Sequence, residues 1–415
     1  MQDIRPGTQS ERRWTGSGRS SRAGFEIAFS VIVAIVMAAC TVGGFVIGRK
    51  TADNYVRRVG LLIDDANVPK ALDVNEDANL DDPVTAQALA KLYGVTPGDR
   101  AALSARLSQI PGGVPYRPAP FVGHLAPPMS WREVHVNAFG FRDEREDYAT
   151  KPDRTVRAFI TGGSTAFGLG AAQNMTIAYQ LERLLNSNLS GNGKQYQVIN
   201  TAFPAWASTQ EKLLIQQYLV DMHPDVIIMF SGNNDVNWLL EKVNISHFYT
   251  YADQNYIRLF NELYAAAGHP EWAIEAPTLS SAMECRDLGK LTARNVEEAA
   301  FAAGRAGAQL IFALQPNIVS TSKILSVHEQ RWFQKLDKPR WDSCYESIRE
   351  HLQAITAPNF AFLDLSRSFG EFGADTEVFL DKYHFADLGN RIIARALEHG
   401  IDWASVAKSV SAGTP

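Results

Sequence analysis

The sequence predicts an α/β protein built on an open parallel sheet with flanking helices, preceded by one transmembrane helix. Three observations carry this expectation. From Thr155 onward, short apolar runs of strand length alternate with helical patterns, as strands joined by helical crossovers do. Asp225 to Phe230 reads as a continuous apolar strand, expected where both faces of a sheet are covered. Near the N-terminus, Ile27 to Ile47 runs 21 residues without a charge. The 415-residue chain is 46% hydrophobic and 20% charged, which excludes a largely disordered or collagen-like protein. Its net charge of −5 shows no basic footprint for nucleic acid. Three cysteines, Cys40, Cys285 and Cys344, are too few for a disulfide-dense scaffold or a cysteine-rich metal module.

Taken in chain order, residues 1–23 are Ser-, Gly- and Arg-rich with little to bury, and read as a disordered tail. Residues 24–48 form the expected membrane helix, whose apolar run spans about 30 Å at helical rise and so matches a bilayer's hydrocarbon core. Arg12, Arg13, Arg19 and Arg22 before it balance Arg49, Lys50, Arg57 and Arg58 after it, so charge bias chooses no orientation. Met37 to Cys40 loosely resembles a lipoprotein cleavage site, but the apolar run continues past Cys40, which favours an uncleaved anchor. Residues 49–150 read as a stalk and lead-in, with modest helical patterns at Tyr55–Leu62 and Val84–Tyr93.

Residues 151–405 carry the α/β pattern. Val156–Ile160 is a strand ending in Gly162-Gly163-Ser164, followed by a helical segment, Thr176–Leu189, with Ile177, Leu181, Leu184 and Leu185 on one face. A strand at Gln197–Asn200 precedes a helix opened by Ser208-Thr209-Gln210-Glu211, a capping-box pattern. After the Asp225–Phe230 strand comes an aromatic-rich insertion, 238–283. Helix Ala293–Arg305, strand Gln309–Leu314, helix Trp341–Ile355, strand Phe360–Leu363 and a last helix, Asp387–Glu398, complete the alternation. In such sheets ligands collect beyond the carboxyl ends of the strands.

Four polar clusters fall there. Ser164 stands in a glycine turn that presents its hydroxyl and nearby N–H groups; alone, such a turn is more often only a cap. Asp381 and His384 are three residues apart, so the carboxylate can fix the imidazole tautomer and leave Nε2 to act as a general base toward a serine. Ser231 to Asp235 offers a side-chain amide for a developing oxyanion, against the plainer reading of a polar turn. Asn200 to Ala205 offers a further backbone N–H.

In this order the four clusters resemble the SGNH/GDSL family of serine esterases and acylhydrolases, over about residues 155–400. The family's first block matches Ser164, its Gly-x-Asn-Asp block matches Gly232 to Asp235, and its Asp-x-x-His block matches Asp381 and His384. The second-block glycine is here Ala205, which keeps its N–H but adds a methyl group. Gly-Gly-Ser-Thr in place of Gly-Asp-Ser, and the lead-in Asn137-Ala138-Phe139-Gly140-Phe141-Arg142, are similar to membrane-anchored bacterial members. An α/β-hydrolase reading fails: Gly162-x-Ser164-x-Ala166 lacks the last glycine of that fold's nucleophile elbow, and its acid and histidine usually come from separate loops.

The resemblance implies a flavodoxin-like three-layer fold and a Ser164–His384–Asp381 triad that forms an acyl-enzyme. Ser164, Ala205 and Asn234 would line the oxyanion hole, with no metal and no cofactor. It also implies an inner-membrane anchor with a periplasmic catalytic domain, and acyl esters, O-acetyl groups on surface glycans among them, as substrates. Trp206, Asn233 and Trp238 are the candidate substrate contacts, since aromatic faces beside the site stack on sugar rings; ordinary core packing is the commoner use of such aromatics. A polysaccharide O-acyltransferase would use the same triad, and a non-catalytic glycan-binding protein would not require it. Cys285 and Cys344 pair only if the domain is exported and they lie close together.

Overall fold

Two units make up the chain, residues 1–65 and 66–415. The computed structural model describes residues 30–50, 70–71, 79–189, 191, 193–241, 251–274 and 283–412. In the first unit, Ser30–Lys50 (α1) is one helix of 21 residues, long and apolar enough to cross a bilayer. Its Val, Ile, Met and Phe side chains are exposed. The tail 1–23 and the Tyr55–Leu62 pattern lie outside the described residues.

The second unit begins with small elements. Lys70–Ala71 (β1) pairs antiparallel with Pro111–Gly113 (β2). Between them lie helices Pro83–Leu92 (α2) and Arg100–Leu107 (α3), whose N-caps Asp82 and Asp99 accept from the Thr85 and Ala102 N–H groups. Two hairpins follow, Arg117–Ala119 (β3) with Gly123–Leu125 (β4), and Met129–Trp131 (β5) with Val134–Val136 (β6). The expected stalk is, over residues 79–150, a folded part of this unit. Leu80, Leu89, Leu92, Tyr93, Leu103, Leu107 and Ile110 are buried there in a second core that includes Ala172, Leu380 and Ala386 of the α/β domain. Single-helix periodicity could not reveal this, because the partners lie roughly 60 to 300 residues away in the chain.

The α/β domain follows the expected alternation. Strand Thr155–Gly162 (β7) leads to helices Ser164–Phe167 (α4) and Ile177–Asn188 (α5), then Gln195–Asn200 (β8) and Ser208–Gln217 (α6). Val226–Ser231 (β9) leads to Asn233–Leu240 (α7), Tyr251–Ala266 (α8) and Cys285–Arg305 (α9), then Gln309–Leu314 (β10), Val327–Phe333 (α10) and Lys338–Gln353 (α11). Phe360–Asp364 (β11), Asp387–Gly400 (α12) and Trp403–Ala412 (α13) complete it. The five long strands form one sheet, β11-β10-β9-β7-β8, with every pairing parallel. Central β7 and β9 are buried at every residue, as covered faces require. The chain order reverses between β7 and β9, so the crevice for a ligand opens at their carboxyl ends.

Two boundaries differ instructively. Helix α9 starts eight residues before the expected Ala293, at Cys285, and a disulfide joins Cys285 to Cys344 of α11 with Cα atoms 4.4 Å apart. At α6 the cap is Ala207, whose N–H donates to Gln210 Oε1 at 3.1 Å. Ser208 is already helical, and its hydroxyl goes elsewhere, to Asp235.

Candidate active site

Ser164 begins α4 directly after β7, beneath the N-cap Gly163, which offers no side-chain cap. The first-turn N–H groups of this short helix therefore open onto the crevice. Gly163 is required by close approach: a methyl group there would lie 2.3 Å from Asn234 Nδ2. Ser164 Oγ lies 2.6 Å from His384 Nε2, and His384 Nδ1 lies 2.6 Å from Asp381 Oδ2. The second carboxylate oxygen of Asp381 accepts from the N–H groups of Tyr383 (2.9 Å) and His384 (2.8 Å). Burial pushes the Asp381 carboxyl up, but the His384 charge and hydrogen bond, with the two backbone N–H groups, outweigh it and hold the group below the usual range.

Across the crevice, Asn234 on α7 donates from Nδ2 to the Trp206 carbonyl at 2.7 Å. Ala205 adopts φ 69°, the left-handed region that favours glycine, at about 1 kcal/mol for a residue with a Cβ. Its loop is held from both sides. Trp238 Nε1 donates to the Ala205 carbonyl at 3.1 Å. On the β3–β4 hairpin, His124 packs edge-on against Phe203 and Trp206, with ring centroids 5.0 and 6.3 Å away. Burial lowers the His124 imidazole to about 4, so it is neutral at ordinary pH.

The structure thus brings Ser164, His384, Asp381, Asn234 and Ala205 to one crevice, and it corrects two of the expected substrate contacts. Trp206 is fully buried among Phe203 and His124 and presents no face to a ligand. Asn233 is buried too: its Oδ1 accepts from Tyr345 Oη and, at 3.0 Å, from Asn317 Nδ2. Trp238 is half-buried, with its indole N–H committed to the Ala205 loop. Within the insertion, Phe248 and Tyr249 lie outside the described residues. Tyr264 packs against Phe260 and Trp272, while Phe260 and Trp272 themselves stay exposed.

Several supporting contacts could not be read from the sequence, even where the residues themselves stand in the matched blocks. Asp235 accepts from the Ser208 hydroxyl (2.5 Å) and N–H (3.2 Å), tying α7 to the start of α6, and Asn295 of α9 donates to the same hydroxyl at 3.0 Å. Arg142, wholly buried, donates to the Phe167, Gly168 and Ala171 carbonyls at 3.1, 2.7 and 2.8 Å, which ends α4 and accounts for the lead-in motif. A buried Lys323–Glu329 pair at 2.6 Å anchors the approach to Asp381, since the other Glu329 oxygen accepts from the Val378 and Phe379 N–H groups at 3.0 and 3.1 Å.

Behind the sheet end, Glu211 accepts from the Ser231 hydroxyl. Burial pushes its carboxyl up to about 8; the Ser231 bond opposes this and nearby Asp235 adds to it. The folded protein therefore keeps this proton between about pH 4.5 and 8, where the unfolded chain loses it. Over that window Glu211 costs up to about 1.4 kcal/mol of stability per pH unit as pH rises. Glu211→Gln keeps the acceptor and removes the titration. We expect thermal melts of the variant to match the parent near pH 4.5 and to exceed it at pH 8; a variant less stable at pH 8 would mean that Glu211 is ionised in the fold.

No family model matches the sequence, and no curated protein matches it. Solved structures similar to it include the lipase Lip_vut3 from a goat rumen metagenome, at 12% identity over 59% of this chain and 96% of that one, with a TM-score of 0.36. The acetyl xylan esterase AlAXEase is 14% identical over 59% of this chain and 100% of its own, TM-score 0.36. A catalytic mutant of Axe2, an acetylxylan esterase from Geobacillus stearothermophilus, is 14% identical over 61% and 98%, TM-score 0.36. Likenesses of this size assign no chemistry to the chain, whose own side chains must supply the warrant.

Proposed function

We propose that the protein is a serine esterase of the SGNH/GDSL type that cleaves carboxylic esters through a Ser164–His384–Asp381 triad. The observation that carries this reading is the unbroken relay of two 2.6 Å contacts from Ser164 Oγ through the imidazole to Asp381. Ser164 Oγ attacks the ester carbonyl as His384 Nε2 takes its proton, and Asp381 stabilises the imidazolium. The carbonyl oxygen becomes an oxyanion held by the Ser164 and Ala205 N–H groups and the Asn234 amide, each such donor being worth roughly 3–4 kcal/mol. Collapse expels the alkoxide, which leaves with the proton from His384. Water, deprotonated by the same imidazole, then releases the carboxylic acid and restores Ser164.

Two further features support an anchored, exported enzyme. Helix α1 is suited to a bilayer, and the Cys285–Cys344 disulfide belongs to an oxidising compartment. This favours a single-pass inner-membrane protein with its catalytic domain in the periplasm and residues 1–23 in the cytoplasm. The substrate class proposed is an acyl ester, an O-acetyl glycan in the first instance. The test is to give the full chain, in detergent, acetylated xylan and p-nitrophenyl acetate, and to treat it with a fluorophosphonate. Acetate release and labelling at Ser164 are expected; labelling at another residue, or none, would overturn the assignment. Adding a sugar acceptor and finding acylated sugar in place of free acetate would make the protein a transferase.

A further inference from the structure

Helices α2 and α3 precede the sheet by dozens of residues, yet they sit on the two segments that supply the proposed triad. Tyr93, the residue that ends α2, touches both. Its hydroxyl donates to the Gly170 carbonyl at 2.9 Å, while the Gly170 N–H donates to the Pro111 carbonyl at 2.9 Å. Gly170 is thus gripped on both sides by the N-terminal cap. The two residues before it are bound to the serine: the Gly168 and Leu169 N–H groups both donate to the Ser164 carbonyl at 3.0 Å.

The other contact is with the acid–histidine loop. Tyr93 shares a buried cluster with Leu380, the residue before Asp381, and Ala386, two residues after His384. The Leu380 N–H donates to the His384 carbonyl at 2.8 Å, closing the loop on itself. Gly170 lies against the same leucine, for a methyl group there would stand 3.2 Å from Leu380 Cδ2 and 3.6 Å from Tyr93 Oη. The outer edge of the cap is held by charge: Asp82 pairs with Arg331, and Arg106 lies 3.0 Å from Glu133 and 3.9 Å from Asp387, the first residue of α12.

We propose that Tyr93 is a positioning residue, locking the Ser164 segment and the Asp381–His384 loop in register so that docking of the α2–α3 cap assembles the triad. The proposal rests on Ser164 being the nucleophile. Ser164 and His384 come from segments 220 residues apart and meet through one 2.6 Å contact. A displacement of about 1 Å at such a contact costs on the order of 10²-fold in rate. Burial, with Asp387 and Asp381 nearby, raises the phenol well above its usual range, so Tyr93 remains a donor throughout the working pH.

The test compares the full chain with Tyr93→Ala, Tyr93→Phe and Arg106→Gln. For Tyr93→Ala we expect fluorophosphonate labelling of Ser164 to slow by about 10²-fold, kcat to fall and KM to stay within about threefold. Tyr93→Phe keeps the ring and should recover to within about fivefold of the parent. Arg106→Gln changes a side chain at the cap's edge and should slow labelling severalfold, which keeps the test open should Tyr93→Ala fail to fold. Hydrogen exchange reads the lock without chemistry: amides 378–386 should exchange faster in Tyr93→Ala while those of β9 do not change. Labelling of Tyr93→Ala at the parent rate, or exchange that rises equally in β9, would overturn the proposal. If instead the parent itself is never labelled at Ser164, the esterase reading fails, while the exchange pattern still decides whether the cap holds the loop.

Discussion

Ser164→Ala should lose ester turnover by at least about 10⁴-fold and lose fluorophosphonate labelling entirely. The substitution removes one half-buried oxygen whose contact is with His384 Nε2, at 2.6 Å. The β7 backbone, the Arg142 ties to α4 and the Asp381–His384 bond do not depend on that oxygen, so the melting temperature should hardly move. Residual activity would come from the donors around the oxyanion, which stabilise a water-attacked carbonyl without a nucleophile. The measurement is acetate release beside the parent, at matched protein and detergent. Comparable turnover in the two would remove Ser164 from the mechanism, whatever the geometry.

Asp381→Asn has the second largest expected effect, about 10⁴-fold in kcat, and its reason lies in the orientation of the carboxylate. One oxygen accepts two backbone N–H groups, from Tyr383 and His384, and an asparagine must place its carbonyl oxygen there. Its NH₂ group then faces His384 Nδ1, which must accept and so gives up its proton. The proton moves to Nε2, the atom that must receive one from Ser164. The variant should fold, because its shape and backbone bonds are retained, and should recover little activity at any pH between about 6 and 9. A loss smaller than tenfold would mean that Asp381 supports the loop but does not set the tautomer.

Much of this was legible in the sequence because it is local. Asp381 and His384 are separated by one turn, and Gly163-Ser164 follows an apolar run, so neither needed distant partners to be noticed. The strand Gln309–Leu314 appears with its expected ends, since six apolar-rich residues between a glycine turn and a proline leave little latitude. The substrate contacts were not legible in the same way. Trp206 is a candidate contact in the sequence because it stands beside the oxyanion loop, but Phe203 and His124 enclose it, and His124 lies 82 residues earlier. Asn233 and Asn234 are adjacent and chemically identical. Only the positions of Tyr345 and Asn317 turn one into a buried strut, while Gly163 lets the other lie beside Ser164.

By itself, then, the sequence determined the apolar helix near the N-terminus, the parallel α/β alternation and the residue types available at each strand end. These follow from periodicity, charge and short-range spacing. The tertiary structure alone decided that the cysteines pair, that the stalk over residues 79–150 is a folded cap, and which polar groups reach the crevice and which hold it from behind. Burial and hydrogen-bond partnership are set by groups converging from far apart in the chain, as Tyr93, Gly170 and Leu380 do, and no local pattern encodes that convergence.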